Sequence, residues 1–180
     1  MRKIVANLFI SLDGVVESPE KWSMSYWNDE LEAAVGGGMA AADAMLLGRV
    51  TYEGFAAHWP HVTVEQDAGA DHMNNTRKYV ASTSLKSVDW NNSVLLEGDL
   101  AEAVAKIKAE PGGDIATTGS ATLVRSLLAQ GLVDELHLLV YPIVVGSGQR
   151  LFADDSYALT LKDSTTFSNG VLHLVYTPAA

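Results

Sequence analysis

Short apolar, β-rich runs alternate with helical patterns along most of this chain, and the alternation breaks only near the end. Strands that return to one another through helices form a mainly parallel sheet covered by those helices. The last two runs, Leu159 to Phe167 and Val171 to Thr177, are joined instead by Ser168-Asn169-Gly170. Asn-Gly between β-rich runs signals a hairpin, which adds antiparallel strands. The expected fold class is therefore α/β, a mixed, mostly parallel sheet with flanking helices and a C-terminal antiparallel hairpin. A length of 180 residues suits one domain over 1–180.

Element by element, Lys3 to Ser11 reads as a strand buried on both faces. Ser18 to Asn28 is a loop holding Trp22, Tyr26 and Trp27. Asn28 is placed to cap a helix that begins with Asp29 and Glu30, and Gly36-Gly37-Gly38 is expected to end it near Val35. Ala44 to Leu47 is a strand, and Val50 to His58 a helix closed by Trp59-Pro60. Val62 to Thr76 is polar and carries no clear pattern. Lys78 to Ala81 and Ser93 to Leu96 are further strands. Asp99 caps an amphipathic helix carrying Leu100, Val104 and Ile107, stopped at Pro111-Gly112-Gly113. Asp114 to Thr117 is a strand, followed by a helix with Leu123, Leu127 and Leu128 that ends at Gly131. Glu135 to Val145 is a long strand with Pro142 inside or at its edge.

Open α/β sheets bind ligands at the carboxyl ends of their strands. Such ends here include Leu12-Asp13-Gly14, Gly48-Arg49-Val50-Thr51, Ser82-Thr83-Ser84 and Thr118-Gly119-Ser120-Ala121-Thr122. Those at Gly48 and Gly119 open directly onto a helix, whose free N–H groups and positive end suit phosphate. Arg49 adds a full charge. Together these turns suggest a nucleotide with more than one phosphate, although no Gly-x-Gly-x-x-Gly follows the first strand and no Walker motif is present.

Composition narrows the partners. Lys plus Arg number 12 against 22 Asp plus Glu, a net charge of −10, which argues against nucleic acid. The chain has no cysteine, so disulfides, thiolate catalysis and Cys-ligated metal centres are excluded. His58, His61, His72, His137 and His173 show no metal-ligand spacing. No run approaches a membrane span, and Asp13 interrupts the short apolar stretch after the basic start, so a cytoplasmic protein is expected.

Several stretches together resemble the dihydrofolate reductase-like superfamily, and within it the reductase domain of the bifunctional riboflavin-biosynthesis deaminase/reductase. They are Ser11-Leu12-Asp13-Gly14-Val15-Val16, Ala44 through Glu53, Thr118 through Leu123, Leu132-Val133-Asp134-Glu135-Leu136 and Pro142 through Gly148. The resemblance implies a three-layer fold with about eight strands in its sheet and NADPH as cofactor. It implies that Gly48, Arg49 and Thr51 hold phosphate, and that Ser82 and Thr83 lie by the 2′-phosphate or adenine. Gly119, Ser120, Ala121 and Thr122 would cradle the pyrophosphate. Ala6 and Asn7 would meet the nicotinamide amide through backbone groups, with Asp13 and Gly14 bordering the nicotinamide and the substrate. It also implies a homodimer, to which the apolar surplus of Leu136, Leu138, Leu139, Val140 and Ile143 is relevant; burial on both faces of the strand is the alternative. Where the riboflavin-pathway reductases carry a glutamate before the glycine-rich turn, this chain has Thr118.

The implied chemistry is hydride transfer to a C=N or C=O carbon of a small, heterocyclic or carbonyl substrate. Asp13, Asp29 and Tyr52, or a water they position, are the candidate proton donors. Trp22, Trp27 and Phe55 are candidates to stack on a flat substrate. A nucleotide- or flavin-binding module without turnover is the alternative function.

Overall fold

The computed structural model describes residues 1–152 and 156–179. Its strands are β1 (Ile4–Ser11), β2 (Ala42–Gly48), β3 (Arg77–Ala81), β4 (Ser93–Leu95), β5 (Asp114–Thr118), β6 (Glu135–Tyr141), β7 (Leu159–Thr166) and β8 (Leu172–Pro178). Its α-helices are α1 (Asp29–Ala41), α2 (Arg49–His58), α3 (Ala70–Asn75), α4 (Leu100–Ala109) and α5 (Ala121–Ala129). The strands form one sheet in the order β4-β3-β2-β5-β1-β6-β8-β7. β1 to β6 run parallel, whereas β8 pairs antiparallel with β6 and β7 with β8.

Alternation along the strands sorts the core into layers. Ile4, Ala6, Leu8, Ala44 and Leu46 point to one face, where they meet Val104 and Ile107 of α4 and Val124 and Leu127 of α5. Met45, Leu47 and Val80 point to the other, against Tyr52 of α2 and Met73 of α3. On that face Leu139 and Tyr141 pack on Leu31 of α1 with Phe167 and Val171. The result is helices on both sides of a mixed sheet. Among the described residues, no helix is long and apolar enough to cross a membrane.

The structure corrects several boundaries. α1 does not stop at the triple glycine but runs through Gly36-Gly37-Gly38 to Ala41. Each helical glycine costs about 1 kcal/mol relative to alanine. Against this, Leu31, Ala34, Val35 and Met39 recur at helical spacing and pack on the sheet side. Gly38 is on the same stripe, and a Cβ there would come 3.6 Å from Asn7 Oδ1. Asn28 caps this helix, its Oδ1 accepting from Leu31 N at 3.0 Å.

β6 ends at Tyr141 rather than Val145. Pro142 offers no N–H to a ladder, and the chain instead turns so that Leu12 N donates to Ile143 O at 2.8 Å. The apolar surplus of β6 is used within the chain: Leu136 and Leu138 are buried on the α4/α5 face and Leu139 on the α1 face. The polar stretch after Val62 holds the short helix α3. The hairpin turn forms as expected, with Gly170 at φ +85° and Asn169 Oδ1 accepting from Val171 N at 3.0 Å.

Candidate functional site

The carboxyl ends of β2, β3 and β5 lie side by side, with Gly48 in register with Ala81 and, one strand further, Thr118 in register with Asn7 of β1. α2 starts directly from β2, and α5 starts from β5 after Gly119 and Ser120. Neither helix has a side-chain cap: α2 follows Gly48, and Ser120, the capping position of α5, turns its hydroxyl elsewhere. Two uncapped helix starts therefore lie next to each other, each with free N–H groups and a positive end.

The hydroxyl of Ser120 joins them. It accepts from Gly48 N at 3.0 Å and donates to Thr51 Oγ1 at 2.7 Å. The polarity of this chain is fixed at one end, because a backbone N–H can only donate. Ser120, which can accept and donate at once, gives its proton to Thr51, and the proton of Thr51 has no acceptor among the described residues. The chain therefore ends in an O–H that asks for an acceptor. Close approach makes it possible: a Cβ at Gly48 would sit 2.9 Å from Ser120 Oγ, and one at Gly119 would sit 3.1 Å from Thr51. Gly119 is also at φ +69°, a left-handed conformation that favours glycine.

Arg49 is the first residue of α2 and pairs with Glu53 at 2.8 Å. Ser82 and Thr83 follow the end of β3 beside it; the Ser82 hydroxyl accepts from Leu85 N at 3.0 Å, and Thr83 is exposed. Ala121 is buried at the start of α5, and Thr122 is exposed next to it. Thr122 Oγ1 accepts from Gln149 Nε2 at 3.0 Å and faces Arg125 at 3.5 Å. Arg125 and Gln149 escaped the sequence reading. The available signal for Arg125 was its spacing, since a helical side chain leans back toward the N-terminus and reaches the residue one turn earlier. Gln149 comes from a distant loop and left none.

Other candidates lie elsewhere. Tyr52 points into the core, 5% exposed, with its hydroxyl accepting from Trp90 N at 3.0 Å. Phe55 packs against the same Met45–Leu47 cluster. Neither faces the strand ends, because α2 turns its apolar side to the sheet. Trp22 is edge-on to Tyr141 with ring centroids 5.5 Å apart, which accounts for its bulk as packing. Trp27 stays 40% exposed just before α1, and Asp29 is exposed on the first turn of that helix. The Ala6 side chain faces the α4/α5 core, and its backbone lies inside the ladder, paired with Thr117 and Leu136. Asn7 faces α1, its Nδ2 3.4 Å from Val5 O.

Asp13 is a clamp. Its carboxylate accepts from Ser11 Oγ at 2.6 Å, Val145 N at 3.0 Å and Gly146 N at 2.8 Å. Arg150 Nε donates to its carbonyl at 2.8 Å, and Gly14 takes φ +83° at the turn. The Ser11 hydroxyl and the Val145 and Gly146 N–H groups hold the carboxyl down from the ordinary 3.8 to about 2. A carboxyl held this way keeps its charge at neutral pH, and its hydrogen bonds join the loop after β1 to the loop after β6. Because the folded value is the lower one, the clamp stabilises the fold above about pH 4 and fades as pH falls toward 2. Asp13→Asn is therefore expected to lower the melting temperature at pH 7, with the difference from wild type shrinking between pH 4 and 2.5. A difference that stays constant over that range would remove the carboxylate from the explanation.

Residues 2–173 match the model of the RibD C-terminal domain. The chain belongs to the RibD C-terminal domain family. It is a family of riboflavin-pathway reductases with the dihydrofolate reductase-like fold. Among its relatives are the uncharacterized proteins YyaP and YwjB of Bacillus subtilis (strain 168). YyaP is 29% identical over 182 residues, covering 97% of this chain and 94% of YyaP. YwjB is 31% identical over 181 residues, covering 97% of this chain and 98% of YwjB. The fold is similar to that of a Shewanella sp. PV-4 protein assigned to riboflavin biosynthesis, at a TM-score of 0.78, 20% identity and full coverage of both chains.

Proposed function

We propose that this member of the RibD C-terminal family is an NADPH-dependent reductase of a small heterocyclic or carbonyl compound. The observation that carries the reading is the donor chain Gly48 N, Ser120, Thr51, ending in a free O–H between two uncapped helix starts. A diphosphate accepts hydrogen bonds and donates none, so it fits a cradle built of donors.

Thr51, Thr122 and the first turns of α2 and α5 would hold the diphosphate. Arg49, with Ser82 and Thr83 beside it, would hold the 2′-phosphate. The nicotinamide end would lie toward Asn7, Thr118 and Gly14. When bound, NADPH supplies a hydride for a C=N or C=O carbon. The chain's own part is to orient the partners and keep water from the reacting atoms. The Asp13 clamp ties the loop after β1 to the loop after β6 and so fixes one wall. Of the three candidate proton donors, Tyr52 is buried in the core and Asp13 is held in the clamp, so a water ordered at the site would carry the proton. Thr118, an uncharged residue at the end of β5, suits a neutral substrate better than a cationic one. The assembly belonging to this reading is a homodimer, on the resemblance alone.

Arg49→Ala is expected to weaken NADPH by roughly 1.5–3 kcal/mol, about ten- to a hundredfold, and to leave NADH nearly unchanged. Calorimetric titration of both dinucleotides checks it; equal losses would move Arg49 away from the 2′-phosphate. Turnover is tested by following NADPH absorbance with a panel of small C=N and C=O compounds. Saturable binding with no oxidation across the panel would leave a nucleotide-binding module.

A further inference from the structure

We propose that Glu53 is a competing counter-ion of this site, held on Arg49 until a ligand phosphate displaces it. The inference rests on the reading of Arg49 as a phosphate ligand.

As a stability feature the pair is poorly arranged. Arg49 is the first residue of α2, at the positive end of the helix, where a cation is disfavoured by about 0.3–1 kcal/mol. No acidic residue lies in that first turn, and Gly48 supplies no cap. The pair runs from cation to anion along the helix, the weaker order for residues four apart. Both side chains are about half exposed, at 46% and 47%, so the attraction between them is screened. A cation at an uncapped helix start, with one weak ion-pair partner among the described residues, breaks local rules that α1 and α4 respect. Asp99 caps α4, Asn28 caps α1, and α1 opens with Asp29 and Glu30. Such local conflicts mark functional positions.

Glu53 therefore has two effects. It draws the Arg49 guanidinium one turn along α2 rather than leaving it loose in solvent. It also competes with any anion that approaches. A phosphate with more negative charge than one carboxylate displaces it; a ligand without that phosphate leaves the pair intact and gains nothing from Arg49. The carboxylate released beside a bound phosphate still repels it. At about 6–7 Å in water that repulsion, added to the pair that must be broken, corresponds to roughly a three- to tenfold loss of affinity.

The test is calorimetric titration of the intact protein with NADPH and NADH at low and at raised salt, in wild type, Glu53→Gln, Arg49→Ala and the double variant. Glu53→Gln is expected to bind NADPH about three- to tenfold tighter than wild type at low salt, with NADH unchanged and the gain fading as salt rises. In the Arg49→Ala background no pair is left to break, so Glu53→Gln is expected to give only the smaller part of the gain that comes from direct repulsion. Wild-type binding of NADPH with Glu53→Gln equal or weaker would overturn the proposal and leave the cofactor reading standing, as would a gain that persists in full without Arg49. If wild type binds neither dinucleotide, the cofactor reading itself fails and the role of Glu53 falls with it.

Discussion

Lys78→Met is expected to destabilise the fold by about 2–5 kcal/mol, one of the largest effects of any single substitution outside the apolar core. Lys78 lies on β3 with 0% exposure and pairs with no carboxylate among the described residues. Its Nζ donates to the carbonyls of Asn74 at 3.1 Å, Thr76 at 2.8 Å and Asn91 at 3.0 Å, and sits 4.0 Å from the centre of the Trp90 ring. Burial pushes its ammonium down from the ordinary 10.5 to about 8, which leaves it charged at neutral pH. The cation thus ties the end of α3 to the turn before β4. Methionine keeps the stem and its packing but removes every donor. Asn74 O retains a bond from Asn91 Nδ2 at 3.1 Å, whereas no other bond is shown to Thr76 O and Asn91 O. A buried acceptor without a partner costs about 1–3 kcal/mol. Chemical denaturation checks this; a loss under about 1 kcal/mol would show that water replaces the ammonium.

Gly119→Val is expected to abolish dinucleotide binding, by more than about a hundredfold, while the chain still folds. A β-branched residue at φ +69° is strained by roughly 1–3 kcal/mol. Its Cβ would stand 3.1 Å from both Oγ1 and Cγ2 of Thr51, tighter than normal contact, so Thr51 must move and the bond from Ser120 is broken. Gly119 is exposed, so the core is not disturbed. Gly131→Val is the control. Gly131 has φ +65° and no atom within 4 Å of the added carbon, so it takes the same backbone strain without touching the cradle. Calorimetry for binding and circular dichroism for folding should show lost stability in both variants and lost binding in Gly119→Val alone. Equal binding in the two would separate the cradle from the ligand.

Most elements along the chain and the mixed character of the sheet were legible because apolar runs, caps and turn residues are local, whereas the strand order was not. Asp99 and Asn28 cap their helices as read, and Asn169-Gly170 turns the hairpin. The glycines of α1 misled because tertiary packing of Leu31, Val35 and Met39 outweighs their propensity, a cost that the local sequence shows without its compensation. The turns at Gly48 and Gly119 were visible as phosphate-type turns. That they share one hydroxyl chain was not, since Gly48 and Ser120 are 72 residues apart. Tyr52 and Phe55 lie within a few residues of Arg49, yet the helix turns them into the core while Arg49 stays outside. Asp13 looked like a reacting acid by type; only its partners, Val145 and Gly146 far along the chain, show it to be a clamp.

The most direct measurement is a calorimetric titration of the intact protein with NADPH and, separately, with NADH. Saturable binding of NADPH, roughly tenfold or more tighter than NADH, is the predicted result, because the cradle is common to both and Arg49 is reserved for the extra phosphate. Equal affinity for the two would contradict the role of Arg49. No binding of either would contradict the cradle itself, and the donor chain that ends at Thr51 would then serve another anion.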